Sequence, residues 1–166
     1  MNQPPAFLAS LLDAAGPSGF EVDAARLWRA EAETFADSVT TDVSGNTIAT
    51  VNLDGRPRIM LAGHIDEIGL QVTHIDEEGF LYIAGIGGWD PQVLVGQRVK
   101  ILGSPGGVVG VVGKKAIHLL KVAERKSASQ IDQLWVDVGV GSRAEATELG
   151  LRVGDAMVID AAMVSL

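Results

Sequence analysis

Cysteine is missing from the chain, which excludes a disulfide framework, a thiolate metal site and a thiol nucleophile; a reducing, cytoplasmic setting is the expectation. No stretch approaches the roughly 20 apolar residues that a bilayer span requires. Met1 to Ala6 carries no basic segment leading into an apolar core, so no secretory signal is expected either. Positive charge is scarce: 13 basic residues stand against 21 acidic ones, for a net charge of −8. That balance repels a phosphate backbone and an anionic membrane, and neither nucleic acid nor membrane is an expected partner. What is there is ordinary for a folded protein. The 166 residues are 47% hydrophobic and 20% charged, enough for one domain or two small ones.

The order of elements suggests two regions. Phe7, Leu8, Leu11 and Leu12 recur at helical spacing before Gly16-Pro17, and Val22, Ala25, Leu27, Trp28 and Phe35 predict a second helix from about Glu21 to Ala36. Three strands are expected next, at Val39 to Asp42, Asn46 to Val51 and Ile59 to Gly63, separated by Ser44-Gly45 and Asp54-Gly55. This is an α/β opening. Beyond Gly69, short valine- and isoleucine-rich runs alternate with glycines, as in a small β-barrel. Its strands are expected in a hairpin from Leu70 to Leu81 and at Arg98 to Leu102, Val108 to Val112, Leu134 to Val138 and Ala156 to Ile159. Ser142-Arg143-Ala144-Glu145 fits a capping box opening a short helix, with Gly150 as its C-cap glycine. The expected domains are residues 1–68 and 69–166.

Candidate chemistry centres on a tetrapeptide, His-Ile-Asp-Glu, that occurs twice, at 64–67 and 74–77. The first copy follows Ile59-Met60-Leu61-Ala62-Gly63, which reads as a buried strand running to the carboxyl end, where open α/β sheets place ligands. Residues two apart on a strand share a face, so His64 and Asp66 would emerge together and Glu67 opposite them. The pair suits a metal-binding imidazole and its orienting carboxylate; a histidine capping a strand end by hydrogen bonding is the plain alternative. The second copy lies at a hairpin tip, Thr73 to Phe80, whose acids are solvated. His118, after Lys114-Lys115, could approach a substrate or be a surface histidine. Gly139-Val140-Gly141 lacks the third glycine and the βαβ setting of a dinucleotide loop, and no Gly-x-Ser-x-Gly elbow is present.

Taken together, Gly16-Pro17-Ser18-Gly19-Phe20-Glu21, Ala62-Gly63-His64-Ile65-Asp66-Glu67-Ile68-Gly69, Gly85-Ile86-Gly87-Gly88-Trp89-Asp90-Pro91 and Leu94-Val95-Gly96-Gln97-Arg98-Val99 resemble the glutamyl and tetrahedral aminopeptidase family. The likeness continues through Gly110-Val111-Val112-Gly113, His118-Leu119-Leu120, Val136-Asp137-Val138-Gly139 and Leu149 to Asp155. Some relatives carry endoglucanase labels. The resemblance implies a two-metal aminopeptidase of zinc or cobalt type. Its α/β catalytic domain would be interrupted by a small PDZ-like β-barrel, Gly69 to about Asp160, that helps assemble large oligomers. It implies His64 as a metal ligand and Asp66 as its support, while His74 matches no ligand.

One departure is large. In that family the bridging aspartate, the general-base glutamate and the remaining ligands follow the inserted domain, beyond residue 166. A catalytic zinc takes three protein ligands and a two-metal site more, whereas this chain supplies one. The expectation is therefore the amino-terminal part of such an enzyme, inactive alone, with a peptide as the whole enzyme's substrate. Its other partners would be copies of itself or the missing carboxyl-terminal half. The competing expectation is a non-catalytic assembly or binding module. Carbohydrate hydrolysis has little support, because aromatic residues are only 5% of the chain and no carboxylate pair is placed for glycosidic acid and base.

Overall fold

The computed structural model describes residues 4–164 and divides into two compact units, one formed by Met1–Glu67 with Ala162–Leu166 and the other by Ile68–Ala161.

The first unit opens with helices α1 (Ala6–Asp13) and α2 (Val22–Ala32). On α2, Ala24 and Ala32 are buried and the polar face carries the Arg29–Glu33 pair at 2.8 Å, four residues apart as a helix surface favours. The hairpin β1 (Ser38–Thr41) and β2 (Thr47–Thr50) follows, antiparallel in the register Ser38↔Thr50 to Thr41↔Thr47. Asp42 shapes its turn: Oδ1 accepts from the backbone N–H of Ser44 and of Asn46 at 2.9 Å each. Gly45 supplies the left-handed residue at φ +87°.

The expected third strand does not form. Ile59 to Gly63 has no strand pairing, and Ile59, Met60 and Leu61 are 80%, 87% and 94% exposed. Apolar composition marks a segment able to be buried, but a strand exists only where a neighbour accepts its ladder, and β1 and β2 pair with each other alone. The second helix also ends earlier than expected, giving way to turns after Ala32.

The second unit is a closed antiparallel barrel in the order β3-β4-β7-β6-β5-β8, made from β3 (Gly69–Ile75), β4 (Leu81–Ile86), β5 (Arg98–Ile101), β6 (Val108–Lys114), β7 (Leu134–Asp137) and β8 (Ala156–Ile159). Alternation along the strands sends one set of side chains inward, as in Leu81 and Ile83 of β4, Val99 and Ile101 of β5, and Leu134 and Val136 of β7, all buried. Leu70, Val72, Ile75, Leu94, Val112, Ala146, Leu151 and Met157 complete this core. The first hairpin differs from expectation: its turn is Asp76 to Phe80, closed by Asp76 N–H to Phe80 O at 3.1 Å, and its far arm extends as β4 to Ile86. His74 therefore lies in β3 rather than at a tip, 5.9 Å from the Tyr82 ring.

Helix α3 (Arg143–Glu148) crosses to the barrel between β7 and β8. Ser142 Oγ accepts from the Glu145 N–H at 3.2 Å, while the Glu145 carboxylate takes the N–H of Gly141, one residue before the expected one. At the other end Gly150 adopts φ +83°, its N–H bonds to Thr147 O and that of Leu151 to Ala146 O, the two bonds of a Schellman cap. No helix among the described residues is long and apolar enough to cross a membrane.

Candidate functional site

The first unit gathers three of the candidate side chains through a non-local crossing. After α1 the chain turns at Gly16-Pro17, both buried, and Pro17 pairs with Glu67 as a parallel bridge. Glu67 N–H donates to Gly16 O at 2.9 Å, Ser18 N–H donates to Glu67 O at 3.3 Å, and the Glu67 carboxylate accepts from the Gly16 N–H at 3.0 Å. A side chain at position 16 would press on the Ala24 Cβ at 3.2 Å, so glycine here keeps α2 close to the crossing. Glu67 is thus spent on holding the backbone.

Three residues earlier the chain presents chemistry. His64 Nδ1 lies 2.9 Å from Asp66 Oδ1 and 3.1 Å from the Asp66 carbonyl oxygen. Both are acceptors, so in the neutral ring Nδ1 carries the proton and Nε2 keeps its lone pair, on a side chain that is 86% exposed. Asp66 Oδ2 in turn accepts a hydrogen bond from the Ser18 hydroxyl. That hydroxyl holds the Asp66 carboxyl below its ordinary pKa, against an opposing effect of desolvation, and the His64 ring adds to the lowering. The result is a relay, Ser18 to Asp66 to His64, that fixes one tautomer and offers one imidazole nitrogen. It could serve as a ligand position or as a proton acceptor.

The donor set fits one ligand position and does not fit a two-ion centre. Among the described residues no three His, Cys, Asp or Glu side chains converge. Asp66 and Glu67 are already engaged in hydrogen bonds, and His118 belongs to the other unit, exposed in a single 3-10 turn, Ile117–Leu119. A shallow depression of about 380 Å³ on the barrel is lined by Thr73, His74, Asp76, Tyr82, Ile83 and Asp132, none of them a candidate ligand of the relay.

Ser18 is the partner of Asp66 that spacing alone missed. It is 48 positions from Asp66, and its one signal was its place in Gly16-Pro17-Ser18-Gly19.

A mixed α/β unit followed in the chain by a closed six-stranded antiparallel barrel is the arrangement of the solved aminopeptidases on which this chain superposes. Residues 45–166 match the model of the M42 glutamyl aminopeptidase family, and the chain belongs to that family. It is 41% identical over 120 residues to the lysyl aminopeptidase of Pyrococcus furiosus, a match covering 72% of this chain and 34% of that protein. It superposes on the TET aminopeptidase of a marine-sediment Thaumarchaeota archaeon with a TM-score of 0.90 and 37% identity, covering 96% of this chain and 45% of that one. The TET1 peptidase of Pyrococcus horikoshii, which can assemble into a tetrahedron or a large octahedral shell, gives a TM-score of 0.80 at 33% identity, with 92% and 45% covered. The chain therefore spans less than half the length of each of these relatives.

Proposed function

We propose that these residues are the amino-terminal portion of a metal-dependent aminopeptidase, which releases amino-terminal residues from short peptides, and that they are inactive by themselves. The observation carrying this reading is the relay: a carboxylate fixed by Ser18 fixes His64 with Nε2 free. In the complete enzyme His64 would be one ligand of a pair of divalent ions, zinc or cobalt, and Asp66 its orienter. The other ligands and the base lie outside the donors this chain offers. A lone imidazole does not hold two ions or deprotonate a bound water. The Ile68–Ala161 barrel would be the inserted assembly domain, and the chain's partners would be further copies of itself or a carboxyl-terminal half.

The test is turnover of an amino-acid anilide by the purified 166-residue chain with cobalt or zinc added. No release above the metal-only blank is expected, and sustained turnover would overturn the proposal of an incomplete site.

One observation favours a second reading, a non-catalytic assembly module: Ile59, Met60 and Leu61 form an uncovered apolar run, which favours association. Under that reading His64→Ala leaves the assembly state unchanged in light scattering, and loss of oligomers in that variant counts against it.

A further inference from the structure

Between β6 and β7 the chain runs from Lys115 to Gln133 with only single 3-10 turns, longer than the about 12–15 residues that a strandless connection commonly reaches without a task of its own. Its first part is unlike the rest of the molecule. Lys114, Lys115, Lys121, Arg125 and Lys126 face a single acid, Glu124, across positions 114–126. Taking that +4 from the net −8 leaves the remainder of the chain at −12. Interleaved with the cations, Ile117, Leu119 and Val122 are 67%, 61% and 70% exposed.

Few of these charges are answered locally. Lys115 Nζ is 3.9 Å from Glu124, Lys114 reaches only the Ser129 hydroxyl at 3.2 Å, and Arg125 Nε donates to the Leu120 carbonyl at 3.1 Å. Lys121 and Lys126 take part in no ion pair among the described residues. Cations steer an acidic partner, and three exposed aliphatic chains between them gain from a partner broad enough to cover them.

We propose that segment 114–126 is a docking surface for the acidic surface of a second copy of this chain. Two copies at −8 repel at long range, and this segment is where the sign of that field is locally reversed. A two-fold axis through it would set like charges against each other, so it lies off any such axis and meets acidic side chains of the neighbour. This rests on the self-association proposed above and adds the surface that performs it.

The test is sedimentation equilibrium of the 166-residue chain at rising salt, alongside Lys121→Glu with Lys126→Glu and, separately, Ile117→Ser with Val122→Ser. Association of the parent is expected to weaken as salt screens the contact. The charge-reversed variant should lose affinity on the order of tenfold or more, and the serine variant should weaken while keeping its salt dependence. All four substituted residues are exposed and outside the barrel strands, so native circular dichroism is expected; the parent's salt series needs no variant at all. Association that is indifferent to salt and to both variants would overturn this docking surface and leave self-association standing. A chain that is monomeric at every concentration would overturn self-association itself. Binding of a labelled oligoglutamate peptide by such a monomer would give the segment a peptide partner and likewise overturn the proposal.

Discussion

The barrel and the unit that precedes it share one chain and solve burial in opposite ways. Every barrel strand has a neighbour on both sides, and the main hydrophobic core, from Leu70 to Met157, lies wholly within it. In the first unit the buried apolar side chains of the helices are the two alanines of α2, while Ile59, Met60 and Leu61 stand in solvent. Closure lets a small sheet satisfy its backbone and its core at once; an open arrangement leaves apolar positions that only further polypeptide can cover.

That contrast can be broken most forcefully by truncating one leucine in each unit. Leu81→Ala in β4 removes a fully buried side chain and should cost about 2–5 kcal/mol. Leu61→Ala, at a 94% exposed position, should stay within about 0.5 kcal/mol. Urea unfolding followed by tryptophan fluorescence distinguishes them, and equal losses would mean that the exposed run is covered in solution. A smaller effect is expected where the barrel's helix begins: Ser142→Ala forfeits the hydroxyl that accepts the Glu145 N–H and should cost about 1 kcal/mol, read by the same unfolding curve. Smallest is the response of the β1–β2 turn to acid. Asp42 titrates below its ordinary value, chiefly because the Asn46 side chain donates to it. A carboxylate lowered on folding stabilises above its unfolded pKa, near 4, and loses that contribution as pH falls through the folded value. The amide resonances of Ser44 and Asn46 should therefore hold steady down to about pH 4 and shift below it, whereas those of the barrel strands should not move with them.

The two regions also differed in how far their sequences could be read. Ala156 to Ile159 was expected and observed with the same bounds, and β5 and β7 begin where expected and end one residue sooner, because short apolar runs between glycines carry the period of a half-buried strand. The arm β4 was harder, since Ala84 and Gly85 interrupt the apolar pattern and the glycine reads as punctuation; in the fold a side chain at 85 would meet Trp89 at 3.2 Å. Ile59 to Gly63 failed for a different reason. Its composition was right for a strand, but pairing is a property of two segments, and the described residues give it no second one. The site divides similarly. His64 and Asp66 were expected together on one face of a strand; they meet at 2.9 Å although no strand holds them, so the alternation of a strand is not what joins them, and Ser18 arrives through the Pro17–Glu67 crossing, which local periodicity does not encode.

One feature of the barrel reaches beyond its own stability. Its first and last strands are neighbours, with Leu70 opposite Met157 and Gln71 opposite Ala156, so the polypeptide enters and leaves side by side. To whatever carries it, such a module is no wider than a hairpin, and its ends impose little loop-closure strain on the host. The barrel could be cut out and bridged by a short linker, or transplanted into a surface turn elsewhere, and each piece would keep its own hydrogen-bond ladder.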